Sequence, residues 1–196
     1  MSVQAVEKAS LNAPAPKPVR VVLDVIDRLG RLDGWIGGGC LITLTVLMLA
    51  EIGTRFLSSF FPFFPASLKV AWEYSSYLMA ACFTFGAAMT LRAGGHIRVT
   101  LLVKNAPPPL RFVLEAAVAL VALSFMAFLT YTMVRFTITS FGRGHVSTTT
   151  ETPLWIPQTA VTFGMMLLTL QFLARLIQVF LGLPLEDSRM KASPAE

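Results

Sequence analysis

Apolar residues run through this chain in four long blocks, about 34–57, 73–92, 112–134 and 154–175, with polar and charged residues gathered between them. Each block has the roughly 17 to 25 residues that a helix needs to cross the hydrocarbon core of a bilayer. Backbone polar groups in lipid must be bonded internally, so only helices or a closed barrel can span. The blocks are too long and continuous for barrel strands, which alternate polar and apolar residues. The pattern predicts an all-α integral membrane protein with four transmembrane helices.

Shorter patterns flank the spans. Between residues 19 and 32, Val22, Val25, Ile26 and Leu29 recur at helical spacing, with Arg20, Asp24, Asp27, Arg28 and Arg31 on the remaining positions. This reads either as a short amphipathic helix on the inner surface or as a plain cytosolic extension of span one. After span two, Ile97, Leu101 and Leu102 alternate with Arg98 and Lys104 until Pro107–Pro109 ends any helix, a second surface segment over about 97–106. Arg98 and Lys104 are its lipid-headgroup candidates. Residues 1–18, closing on APAPKP, predict a disordered tail. The organisation expected is a tail over 1–18, a membrane domain over 19–185 and a second tail over 186–196.

Small residues mark where helices can approach closely. Gly34 and Gly38 form a small-xxx-small pair in span one, and Ser76, Ala80, Thr84 and Ala88 form a stripe in span two with Gly86 nearby. Spacing alone leaves open whether their neighbours belong to this chain or another.

Composition agrees with the pattern. At 55% hydrophobic and 14% charged over 196 residues, the chain lacks the polar surface of a soluble domain. Its net charge of +5 reports topology and attraction to anionic headgroups, not nucleic acid. Lys8, Lys17, Arg20, Arg28, Arg31, Arg92, Arg98, Lys104, Arg111, Arg175, Arg189 and Lys191 fall on one side; only Arg55, Lys69, Arg135 and Arg143 fall on the other. The positive-inside rule then places both termini and the middle loop in the cytoplasm. The first apolar run starts past residue 33 and is too long for a signal peptide, so span one is expected to stay. Cys40 and Cys82 lie within spans as packing residues, with no disulfide framework.

Candidate chemistry is sparse. An ionisable group at mid-membrane costs roughly 2.5–3.5 kcal/mol and marks a functional site by default, but Glu51, Glu73 and Glu115 all lie within about two helical turns of an interface. Glu51 and Arg55, four apart, read as an ion pair or as a contact to another subunit. Arg111 and Glu115 have the same spacing. No span is broken in the way that builds a transporter's substrate site. His96 and His145 fall on opposite faces, on the order of 30 Å apart, so they cannot share a metal, and neither lies where it would ligate a membrane haem. His96 reads as a turn residue or as a structural link among Arg92, Arg98 and neighbouring helix ends. These residues predict no cofactor, no metal and no catalysis.

The pattern Glu73-x-x-x-Tyr77-Leu78, then Gly86-Ala87-Ala88, Leu91-Arg92 and His96-Ile97-Arg98-Val99, closely resembles the small membrane subunit of tripartite ATP-independent periplasmic (TRAP) transporters. The likeness extends over roughly residues 35–180, with Arg55 after span one and Pro153, Trp155 and Pro157 entering span four. The chain departs from the family's Arg-x-Gly-Glu-His in having Gly95 before His96, and it carries Trp72 and Ser76 where many relatives have charges.

The resemblance implies a subunit of the bacterial inner membrane, paired as a heterodimer with a larger multi-span subunit that moves substrate by an elevator motion. A soluble periplasmic protein would deliver the substrate, an organic acid or acidic sugar, and uptake would be coupled to sodium. The small subunit would brace the static scaffold, with Arg55, Glu73, Tyr77, Arg92 and His96 as its interface or structural residues. From the residues alone, a self-contained four-helix homo-oligomeric channel or an assembly factor is the alternative.

Overall fold

A computed structural model describes residue 12 and residues 14–63, 65–92 and 107–183. Its helices are α1 (Lys17–Ser58), α2 (Lys69–Arg92), α3 (Pro108–Gly142) and α4 (Trp155–Phe180). The surface segment expected over 97–106, with His96, Arg98 and Lys104, lies outside the described residues. So does the Arg92 side chain, and so does the tail expected over 186–196.

Pro16 is extended (φ −55°, ψ 142°) and hands the chain into α1, where a proline in the first turn sacrifices no bonded N–H. The helix then continues for 42 residues, about 63 Å at 1.5 Å per residue, or twice a hydrocarbon core. The surface helix anticipated over 19–32 is therefore not a separate element. It is the extension of span one, because Gly30 and Gly34 weaken a helix without breaking it and no proline intervenes. The far end stops where the Ser59 and Phe60 N–H groups bond Phe56 and Leu57 carbonyls, just before Pro62.

Helix α3 outlasts the span expected to end at 134. Phe136, Ile138 and Phe141 prolong its apolar pattern until Gly144 takes φ +62°. There the His145 N–H returns to the Ser140 carbonyl and the Gly144 N–H to Phe141, a Schellman stop that only a residue tolerant of positive φ makes easily. Gly182, at φ +63°, ends α4 in the same way, with Leu183 bonding Gln178.

Helix α1 packs chiefly on α2, and α3 on α4, while α4 also touches α2 and α1. Small residues set these approaches. Gly37 meets the backbone of Gly86, Gly34 meets the Met89 side chain, and Gly164 meets Thr84 and Phe85. Gly38 faces open space, so the close pair on α1 is Gly34 and Gly37, spaced three rather than four. The α2 stripe finds neighbours within this chain, with Ala88 buried beside Leu91, Leu168 and Phe172.

Between α3 and α4, Thr130 bonds Thr169 (2.9 Å) and Thr137 bonds Thr162 (3.0 Å). Both steps, 130 to 137 and 162 to 169, are one heptad, the period that keeps a seam facing its partner in antiparallel helices. Aromatic pairs close both ends, Phe112 on Phe180 and Phe141 on Trp155.

Three helices, α1, α3 and α4, are long and apolar enough to cross a membrane. The fourth, α2, carries Lys69, Glu73, Tyr74, Ser75, Ser76 and Tyr77 in its first turns and is the more polar member. Much apolar surface is left bare: only 6% of the apolar window of α3 and 11% of that of α1 is buried within the chain.

Candidate functional site

No Asp, Glu, Lys, Arg or His occurs in residues 34–50 of α1, 74–91 of α2, 116–134 of α3 or 155–174 of α4. The charged and strongly polar groups collect instead at the two ends of the bundle, where they lock loops to helices.

At the end where α1 meets α2, Glu51 is 4% exposed and fully engaged. Its Oε1 accepts from Arg55 (2.8 Å) and from the Ser67 hydroxyl (3.0 Å), and its Oε2 accepts from the Leu68 backbone N–H (2.7 Å). The ion pair with Arg55 is thus present, as the spacing of four suggested. The carboxylate also reaches across the turn to hold a backbone donor one residue ahead of α2, and no sequence spacing announces that contact. Arg55 itself is more than half exposed.

One turn into α2, Tyr77 donates to Glu73 Oε1 at 2.6 Å, again a spacing of four. Tyr74 bonds Thr152, and Thr150 bonds Thr152, in the segment after α3. That segment is a small hairpin closed by an antiparallel bridge between Val146 and Pro153, with the Ser147 N–H bonding the Thr152 carbonyl. Ser147 and Thr150 stand around the Glu73 carboxylate, close enough to weigh on its charge. No group among the described residues completes a hydrogen bond to its buried Oε2. Arg55 and Glu73 therefore belong to neighbouring but separate polar knots.

The opposite end holds residues that sequence spacing did not single out. Asn12 is fully buried; its Nδ2 donates to Asp24 and Asp27 (3.0 Å each), and its Oδ1 accepts from Gln178 of α4 (2.9 Å). Gln171 donates to the Ile26 carbonyl at 2.7 Å, and Arg175 reaches the Leu91 carbonyl at 3.3 Å. Leu23, Ile26, Ala174 and Leu183 fill the space beneath. The stretch of α1 around Leu23 to Asp27 is therefore strapped onto the last turns of α4, and its buried side continues to Asp33. That side is Leu23, Ile26, Asp27, Gly30 and Asp33, while Val22 and Val25 remain about half exposed. Asp33 is completely buried, with no hydrogen bond to either oxygen among the described residues. Arg111 pairs with Glu115 at 3.3 Å on α3.

Such an arrangement fixes helices against one another. Among the described residues, no three His, Cys, Asp or Glu side chains converge as a metal-ligand set. No curated protein and no solved structure matches the chain. A family model does, over residues 44–182, which takes in the end of α1 and all of α2, α3 and α4. That family is a transporter component, not an enzyme family, and it works with a large membrane subunit and a periplasmic binding protein. The chain belongs to the family described as the DctQ component of tripartite ATP-independent periplasmic transporters, and is thus a small permease subunit of a TRAP system.

Proposed function

We propose that this chain braces the large transport subunit of a sodium-coupled importer and contributes no substrate path of its own. The observation that carries this reading is the division of its surface. Its polar groups are spent in knots at the two ends, while α1 and α3 present apolar faces that the chain itself leaves almost uncovered. A helix face bare of charge through its whole middle can lie against lipid or against a second membrane protein, but it cannot line a route for an ion or an acid.

In this reading all four helices cross the bacterial inner membrane, α2 being sheltered from lipid by α1 and α4, and both termini lie in the cytoplasm as the basic residues suggest. The large subunit occupies part of the bare apolar surface, and a periplasmic binding protein delivers an organic acid or acidic sugar. Glu73, Tyr77 and Arg55 act as structural or interface residues at the outer end; Arg92 and His96 do so at the inner end.

The test is sodium-driven uptake into proteoliposomes containing the large subunit and the binding protein, with and without this chain. Uptake should appear only when the chain is present. Equal uptake in its absence removes the bracing role, and ion flux through vesicles holding this chain alone would favour a self-contained channel instead.

A further inference from the structure

The first third of α1 sorts its charges by face. Asp27 and Asp33 are buried against the bundle, and Asp24, whose side chain is 28% exposed, is held together with Asp27 by Asn12. Lys17, Arg20, Arg28 and Arg31 all turn outward. Arg20 keeps a long 3.8 Å contact with Asp24. Arg28 and Arg31 have no acidic partner among the described residues. In the sequence these acids and bases nearly cancel, but among the described residues the fold leaves a solvent-side face with an excess of positive charge, on which Asp24 is the one partly exposed acid.

That face is also apolar. Arg28 and Arg31 are three residues apart and Trp35 lies four beyond Arg31, so the three share one side of the helix. Leu32, 60% exposed, sits among them, and Trp35 is 81% exposed. Tryptophan favours the membrane–water interface. Measured from Trp35, the two guanidinium stems start about 6 and 10 Å further toward the end of the helix, and their flexible apolar stems can lay the charges among headgroups.

We propose that the face of α1 formed by Arg28, Arg31, Leu32 and Trp35 is a binding site for an anionic phospholipid. The two arginines hold the headgroup phosphate, and Leu32 and Trp35 cover the upper acyl chain. Charge complementarity selects the occupant: Arg28 and Arg31 have no acid paired with them among the described residues, the partly exposed Asp24 is engaged by Asn12 and Arg20, and the apolar half of the face suits a chain rather than water. The site stands whether or not the bracing role does.

Trp35 supplies the readout. With Trp72→Phe and Trp155→Phe leaving it as the sole tryptophan, the full chain is reconstituted with brominated phosphatidylglycerol or brominated phosphatidylcholine at equal mole fraction. Phosphatidylglycerol should quench Trp35 with a preference of about five-fold or more, the scale of one to two basic side chains at a membrane surface. The preference should vanish in the Arg28→Gln/Arg31→Gln variant. Native mass spectrometry of retained phosphatidylglycerol makes the same comparison in the chain with all three tryptophans. Equal quenching by the two lipids, which would leave the arginines to an acidic protein surface, overturns the proposal. So does a preference that survives loss of both arginines.

Discussion

A Cβ built on Gly37 of α1 would stand 2.9 Å from the backbone nitrogen of Gly86 in α2, closer than packed carbon and nitrogen atoms settle. The two backbones touch there with no side chain between them. Lipid tails are as apolar as the helix faces, so in a bilayer close packing and hydrogen bonds replace the hydrophobic effect as the source of helix association. The Gly37–Gly86 contact is accordingly where α1 and α2 are pinned.

Gly37→Ala should force the helices apart and cost on the order of 1–3 kcal/mol, the usual penalty for overpacking. Gly38→Ala, with open space around the added methyl, should be neutral or slightly stabilising by removing a helical glycine. Thermal unfolding of the two variants in one detergent makes the comparison. Equal losses would show that a methyl is tolerated no better at Gly38 than at Gly37, and that the Gly86 contact is not what pins this segment.

Glu51 and Arg55 form one ion pair but do not share its importance. The carboxylate is buried and holds the Leu68 N–H and the Ser67 hydroxyl as well as Arg55; the guanidinium is mostly in solvent. Glu51→Gln should therefore destabilise more than Arg55→Ala, because an amide nitrogen turned toward Leu68 or toward Arg55 sets a donor against a donor. Unfolding midpoints of both variants decide the order, and a larger loss from Arg55→Ala would place the weight on the exposed pair.

Glu73 leads to a different measurement. If its knot with Tyr77 and the 145–154 hairpin shapes a docking surface, Glu73→Gln should reduce co-purification of the large subunit while the isolated chain keeps its helical content. Undiminished pairing would confine Glu73 to holding the hairpin.

The interhelical threonines invite a double-mutant cycle. Each hydroxyl also bonds the Met165 carbonyl, Thr130 at 3.3 Å and Thr169 at 2.9 Å, so the two threonines form one small cluster across the α3–α4 seam in which either can supply the proton between them. Thr130→Val and Thr169→Val should show a coupling of about 0.6 kcal/mol and no more than roughly 1.7, the range for hydrogen bonds between membrane helices. A coupling of zero would reduce the heptad step to packing alone.

The features legible in the sequence share a cause: they repeat within one helix. Four apolar blocks, the Glu51–Arg55, Arg111–Glu115 and Glu73–Tyr77 spacings and the small-residue stripe of α2 all follow from 3.6 residues per turn. Contacts between distant segments carry no such period. Nothing in the spacing of Gln171 or Gln178 shows that they meet Ile26 and Asn12 near the other end of the chain, at separations of 145 and 166 residues. The same limit hid which face of residues 19–32 is buried. Val22 and Val25 fit a membrane-facing stripe, whereas the fold turns Leu23, Ile26 and Asp27 inward, where Ala174 and Gln171 of α4 and the Asn12 side chain meet them.

That strap at the cytoplasmic end, as proposed, gives the last prediction. The Asn12 side chain both donates to Asp24 and Asp27 and accepts from Gln178. Asn12→Ala should cost about 1–3 kcal/mol, the scale for leaving buried polar groups without their partner. Asn12→Asp should cost more, since it replaces the donor with a third carboxylate beside two others and keeps only the acceptor for Gln178. Hydrogen exchange adds what a melting curve cannot: amides of residues 20–30 should lose protection in both variants, while those around Gly37 and Gly86 should not. If protection falls along the whole of α1 instead, the strap is not a local fastening, and the first turns of α1 and its membrane segment unfold as one unit.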